Sequence, residues 1–328
     1  MSDKQEDTII LVNDYCYGLL GEKMVLWNFM LDHIPNIKAV DLDIICTDAE
    51  IKILPLSFEK KVLKYIEKHY SNYKCIIQNG SWFPLIPSNK PRICIIQDNL
   101  RKMHRCSEIQ ETNFKNAEYI VTNSCEVDKY YYERKTTQIP LCLDTELFCI
   151  KDKNYLREYY GIHLGNKKKI GIFVGALNEV KGWDTIKNII DNNLDILWII
   201  ISKYNTDNYF KENVLFYNTV NQDVLSDLLN LSNFFILGSP SETQCLAALE
   251  ACLCNIPIIM RNTGFVTNLS EDEKKKIGFI GDNLQESVLK MKELTLDFCP
   301  REIVLKYVSV DIMINKWKSL LESIPRTL

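Results

Sequence analysis

Short runs of β-branched and other apolar residues alternate along the chain with stretches whose apolar positions recur at helical spacing. The runs predict strands at 9–13, 39–47, 74–78, 92–97, 118–122 and 138–141, and again at 169–175, 196–202, 214–218, 233–237, 256–260 and 278–280. The segments between them, 21–33, 57–70, 126–135, 181–190, 222–231, 242–254, 283–296 and 311–322, predict helices. Such alternation is the pattern of α/β architecture with parallel sheets. Uninterrupted apolar runs such as Leu197-Trp198-Ile199-Ile200-Ile201 suit strands covered on both faces. The pattern restarts near residue 168, after a polar, lysine-rich stretch at 151–169, which predicts two similar domains joined by a linker near 149–167. In open parallel sheets ligands bind beyond the carboxyl ends of the strands, and two such domains facing each other would enclose a cleft. Polar residues just after strands are therefore the first candidates for function.

Length and composition narrow the picture. A chain of 328 residues suits two domains at roughly 100–200 residues each. With 46% hydrophobic and 25% charged residues, disordered and fibrous classes drop out. No run approaches the roughly 20 apolar residues of a membrane span, and the polar, acidic start lacks the features of a signal peptide, so a cytoplasmic location is expected. Twelve cysteines without a CxxC pair read as buried thiols of a reducing compartment. Cys252 and Cys254, in a chain with four histidines, make a poor metal site, and Asp41-Leu42-Asp43, inside an apolar run, reads as a coincidental DxD; no metal and no cofactor are expected. Lys+Arg against Asp+Glu is 18 to 21 over 1–150 and 21 to 22 over the rest, which argues against nucleic acid as a main partner. There is no GxSxG, Walker A or GxGxxG sequence. Only 12 glycines are present, about half the usual share of ~7%, so glycine-rich phosphate loops are scarce.

The most informative segment runs from Ser239 to Ala251, between the apolar runs at 233–237 and 256–260. Ser241 before Glu242 reads as a helix N-cap, which would put Glu242 on a first turn where unpaired N–H groups and the helix dipole favour a phosphate. Glu250, eight residues on, would lie on roughly the same face, so that one carboxylate could meet a sugar and the other accept hydrogen bonds from hydroxyls. From spacing alone, a first-turn Glu favoured by the dipole together with an ordinary surface Glu accounts for the pair equally well.

Context adds to this. Pro240-Ser241 with Glu242, seven intervening residues, Glu250 and then Ala251-Cys252-Leu253-Cys254-Asn255-Ile256-Pro257 resembles the E-x7-E segment of retaining GT-B glycosyltransferases of family GT4. Gly175-Ala176-Leu177-Asn178-Glu179-Val180-Lys181-Gly182 resembles that family's G-R-x-x-x-x-K-G turn, and Ile139-Pro140 to Phe148 its I-P-N-G-V-D segment. Leu20-Gly21-Glu22-Lys23 is similar to the end of its G-G-x-E-R acceptor loop, and 117–124 to its A-D-x-I-V-x-x-S strand. The resemblance runs from about residue 9 to 282. It implies a GT-B fold: a Rossmann-like acceptor domain over 1–150, a Rossmann-like nucleotide-sugar domain over 151–306, and a terminal helix at 307–328 packing back on the first domain. It implies a retaining, metal-independent transfer of sugar from a UDP- or GDP-sugar to a hydroxyl of a glycan or lipid-linked acceptor. Glu242 would contact the sugar, Glu250 the ribose, and Lys181 the diphosphate; Gly175, Thr243, Gln244, Cys245 and Leu246 would complete the donor site. Gly21, Glu22 and Gln97 fall on the acceptor side, with Asp98 a candidate for orienting the sugar.

The chain departs from the family pattern in informative places. The arginine of the G-R turn falls at Ala176, and Lys203 or Arg261 are candidates to replace it. The glycines that follow the first Glu are replaced by Thr243 to Leu246. These departures keep two alternatives open: a non-catalytic relative that binds nucleotide or glycan, and a GT-B nucleotide-sugar epimerase. Lys60, Lys64 and Lys68 share one helical face near Tyr65 and Tyr70, a solvated face or a weak contact with an anionic membrane.

Overall fold

The structure is a computed structural model that describes residues 8–13, 22–40, 58–70, 72–79, 84–96, 106–129, 134–203, 209, 211–293 and 297–325. It divides into two compact units, Met1–Cys142 with Val310–Leu328, and Leu143–Ser309. The expectations for Gly21, Gln97, Asp98, the DxD at 41–43 and most of the strand at 39–47 lie outside the described residues.

The first unit carries six parallel strands: β1 Thr8–Asn13, β2 Ile37–Val40, β3 Tyr73–Asn79, β4 Arg92–Ile96, β5 Tyr119–Thr122 and β6 Thr136–Gln138, in the order β2-β1-β3-β4-β5-β6. Helix α1 (Glu22–His33) begins at Glu22, and α2 (Phe58–His69) buries Val62 and Ile66 against Ile10, Val12 and Ile76 of the sheet. The exposed positions of α2 include Lys60, Lys64 and Lys68. Two further helices, α3 (Glu108–Asn116) and α4 (Cys125–Asp128), flank β5. The sixth strand begins two residues before the expected position because Ile120, Val121 and Thr122 pair in register with Thr136, Thr137 and Gln138.

The second unit has β7 Lys169–Val174, β8 Ile196–Ile201, β9 Val214–Tyr217, β10 Phe234–Leu237, β11 Ile258–Met260 and β12 Gly278–Ile280, all parallel, in the order β12-β11-β10-β7-β8-β9. All six residues of β8 are buried, as a central strand covered on both faces requires. The stretch expected to be a linker carries α5 (Lys153–Tyr159), capped by Asp152 and anchored through buried Leu156. Arg157 ties it to Leu231 O and Asn233 Oδ1, so this polar segment belongs to the packing of the second unit. The other helices are α6 Trp183–Asp191, α7 Gln222–Leu231, α8 Leu246–Leu253, α9 Glu271–Ile277, α10 Leu284–Glu293 and α11 Pro300–Val304. Helix α12 (Val310–Ser323) belongs to the first unit, where Lys316 Nζ donates to Gln138 O and Lys74 Nζ donates to Leu321 O. No helix among the described residues is long and apolar enough to cross a membrane.

Strand order places the site. In the second sheet, β7 lies between β8, which follows it, and β10, so the chain reverses its winding direction between β7 and β10. Loops leaving the carboxyl ends of two such strands diverge and leave a crevice, the usual ligand position in a doubly wound sheet.

Candidate functional site

Three loops meet at that switch point: Gly175–Gly182 after β7, Gly238–Cys245 after β10, and Arg261–Gly264 after β11. The first is shaped locally. Asn178 Oδ1 accepts from Lys181 N at 3.1 Å and starts a single 3-10 turn, Glu179–Lys181. Gly182, at φ 67°, stops that turn in the left-handed region and opens α6. A Cβ at Gly182 would sit 2.1 Å from Gly238 O, so the first two loops touch backbone to backbone at a pair of glycines. Gly175 leaves room for the Lys181 stem, whose Cγ would be 3.4 Å from an added Cβ.

The second loop differs from its expected form. Helix α8 begins at Leu246, not at Glu242, because Cys245 takes a left-handed conformation (φ 71°, ψ 74°) that breaks any helix begun earlier. Ser241 is therefore no N-cap, its Oγ is buried without a partner, and Glu242, outside the helix, does not share a helical face with Glu250. Long-range bonds hold the loop instead. Ser239 Oγ lies 2.7 Å from Val180 O and 2.9 Å from Ser241 O, and Glu242 N donates to Thr263 Oγ1 at 2.9 Å. Phe265 N donates to Gln244 O at 3.1 Å, and Gly264 (φ 67°) brings its backbone against Glu242 Cβ. Thr263 and Gly264 are thus site-forming residues that sequence reasoning missed; the Thr-Gly pair after a strand was the only local sign.

This frame brings Lys181 and Glu242 together: Nζ to Oε1 is 2.7 Å, with Glu242 buried and Lys181 partly open. A carboxylate in low dielectric is stable only when paired, so the lysine compensates a charge that the loop would otherwise leave exposed to its own desolvation. Thr243, Gln244 and Cys245 are buried beside it, and Leu246 starts α8, whose first N–H groups lack intrahelical partners. Glu250 lies within α8, buried, and burial pushes its carboxyl up to about 7. Lys203 is exposed beyond the end of β8, on the side of β7 away from Glu242. Glu22 opens α1 in the first unit. Arg261 is the first residue after β11, and its Nε is enclosed without a hydrogen-bond acceptor. Among the described residues no group of three or more His, Cys, Asp or Glu is placed to hold a metal ion.

The pattern of two parallel six-stranded sheets is that of GT-B proteins. The chain resembles Anabaena Alr3699/HepE, solved in complex with UDP-glucose, with a TM-score of 0.75 and 16% identity over 96% of this chain and 99% of that one. It resembles sucrose-phosphate synthase from Thermosynechococcus elongatus with a TM-score of 0.76 and 14% identity, over 96% and 98% of the two chains. Residues 161–298, which contain every loop of the site, match the family model for Glycosyl transferases group 1. A curated relative, sulfoquinovosyl transferase SQD2 of Arabidopsis thaliana, is 26% identical over 166 residues, 47% of this chain and 32% of that protein, so the match spans about a third of the relative's length.

Proposed function

We propose that the chain is a glycosyltransferase that moves a sugar from a UDP- or GDP-linked donor to a hydroxyl of a glycan or lipid-linked acceptor, with retention at the anomeric carbon and without a metal. The observation that carries this reading is the Lys181–Glu242 pair at the switch point of the second sheet, inside the segment that matches the group 1 family. As the glycosidic bond breaks, the leaving diphosphate gains negative charge, and a fixed cation stabilises that charge more than it stabilises the intact donor. Lys181 supplies the cation, and the start of α8 offers unpaired N–H groups and a positive dipole end to the same oxygens. Glu242, held at its carboxylate by Lys181 and at its backbone amide by Thr263, accepts hydrogen bonds from sugar hydroxyls. Glu250 accepts from the ribose, and Gly175 keeps the β7 loop low enough for the phosphate to approach. With the donor's own phosphate taking the acceptor proton on the face from which it departs, no protein base is required; Asp98 and Gln97 orient the sugar.

The acceptor side belongs to the first unit, with Gly21 and Glu22 contributing. The exposed lysine face of α2 gives a weak peripheral contact with an anionic membrane where the acceptor is lipid-linked, and the protein works in the cytoplasm. A second reading, a nucleotide-binding module without turnover, is favoured by one feature: Ala176 supplies no charge where a second cation would serve the diphosphate. The deciding experiment is a product assay with UDP- and GDP-sugars over mixed glycan and lipid acceptors. Release of UDP or GDP with a new glycoside supports transfer. Tight binding without any product supports the module, and interconverted donors without acceptor would support an epimerase.

A further inference from the structure

Arg261, one candidate of the sequence for the arginine missing at Ala176, takes no part in the proposed function. Its Nε–H is fully enclosed and meets no acceptor, and among the described residues it enters no ion pair. An enclosed N–H without an acceptor costs about 1–3 kcal/mol, a penalty that a bound anion would remove. Arg261 opens the same short loop that clamps Glu242: Thr263 N donates to Arg261 O at 2.8 Å, Thr263 Oγ1 receives the Glu242 amide, and Gly264 abuts Glu242 Cβ.

Its side of the sheet decides what it could hold. The strand order is β11-β10-β7, with neighbouring strands about 4.8 Å apart. Lys181 approaches Glu242 from the β7 side, and Arg261 follows the strand on the other side. On the proposed function, on which this inference rests, the diphosphate lies toward Lys181 and the sugar at Glu242. A residue of the loop that clamps Glu242 from the side away from Lys181 is placed beside the sugar, not beside the diphosphate that Ala176 leaves without a second cation.

We propose that Arg261 is a specificity-determining residue that pairs with an acidic substituent, a carboxylate or sulfonate, on the transferred sugar. A planar guanidinium matches such a group through two parallel N–H···O bonds, which a neutral hexose does not offer. Lys181 and Glu242 neutralise each other, so a donor whose sugar is itself anionic needs this additional positive charge.

The test is calorimetric titration of wild type and Arg261→Met with UDP-glucuronate against UDP-glucose, GDP-mannuronate against GDP-mannose, and UDP and GDP alone. The expected result is tighter binding of the uronate by about 10- to 100-fold for the accepted nucleotide. Arg261→Met abolishes that preference and leaves the affinity for the free nucleotide unchanged. Equal affinity for acidic and neutral sugars, or a preference that survives Arg261→Met, overturns the assignment of Arg261 while nucleotide binding keeps the function standing. Loss of free-nucleotide affinity together with the preference overturns it too, since Arg261 would then serve the diphosphate. If neither nucleotide nor any of the sugars binds wild type, the proposed function and this inference fall together.

Discussion

Replacing Glu250 by Gln is predicted to stabilise the protein at neutral pH while weakening its hold on nucleotide. The Glu250 carboxyl is buried within α8, and burial raises it from 4.5 to about 7. Below pH 4.5 it is protonated in both folded and unfolded chains and adds no pH dependence. Between pH 4.5 and about 7 the unfolded chain ionises while the folded one stays neutral, so stability falls as pH rises. Above pH 7 both are ionised and the loss levels off at about 3 kcal/mol, from a shift of about 2.5 units at 1.36 kcal/mol each. Gln is nearly isosteric and does not titrate. The Tm of Glu250→Gln, followed by circular dichroism, should therefore match wild type near pH 4.5 and exceed it by several degrees at pH 7.5. In calorimetry at pH 7.5 the same variant should bind the accepted nucleotide at least about tenfold more weakly if, as proposed, Glu250 accepts from the ribose hydroxyls, because an amide then replaces an anionic acceptor. A Tm difference that stays constant across this pH range would refute the burial argument. Unchanged nucleotide affinity would refute the ribose role.

Other substitutions separate scaffold from chemistry. Gly182→Ala puts a Cβ against Gly238 O at a positive φ, so it should cost at least about 2 kcal/mol in denaturant unfolding; a loss below 0.5 kcal/mol, roughly the range of a neutral surface change, would mean the two loops are not locked at this point. Lys181→Met leaves buried Glu242 without its partly exposed cation, so it should lose about 1–3 kcal/mol of stability and at least ~10²-fold in sugar transfer. Adding Glu242→Gln to that variant should recover most of the stability and none of the activity, as a double-mutant comparison would show. Thr263→Val removes the acceptor for the Glu242 amide; it should weaken sugar binding with little change in affinity for the free nucleotide, and equal losses for both would show that the loop acts on the whole site.

Strands were legible because a strand buried on both faces is apolar over its whole length, and a short β-branched run such as 196–201 suits that position better than a helix. Helices were legible where they press an apolar stripe on a sheet, as α2 and α7 do. The unanticipated α3 and α9, EIQETNFKN and EDEKKKI, are largely polar, yet each is announced by a capping box, Ser107 with Gln110 and Ser270 with Glu273. A Ser followed three residues on by Gln or Glu is a helix-start signal that the sequence itself carries. The motifs around Lys181 and Glu242 single out both residues as candidates but do not show their 2.7 Å contact, which depends on which strands become neighbours. The start of α8 escaped the sequence for a related reason: Ser241 followed by Glu242 looks like a helix entry, but the tertiary bonds of Ser239, Thr263 and Phe265 help fix the loop in which Cys245 turns left-handed and delays it.

On the proposed function the Lys181–Glu242 pair forms a site for a nucleotide-linked sugar. The most direct measurement is thermal unfolding of wild type and Lys181→Met over increasing concentrations of UDP- and GDP-sugars. A ligand at 100 times its Kd adds about 2.7 kcal/mol to the folded state. Wild type should therefore show a concentration-dependent rise in Tm with one nucleotide class, and Lys181→Met should need at least about tenfold more ligand for the same rise. No shift with any nucleotide-sugar, or the same shift in both proteins, would contradict the account.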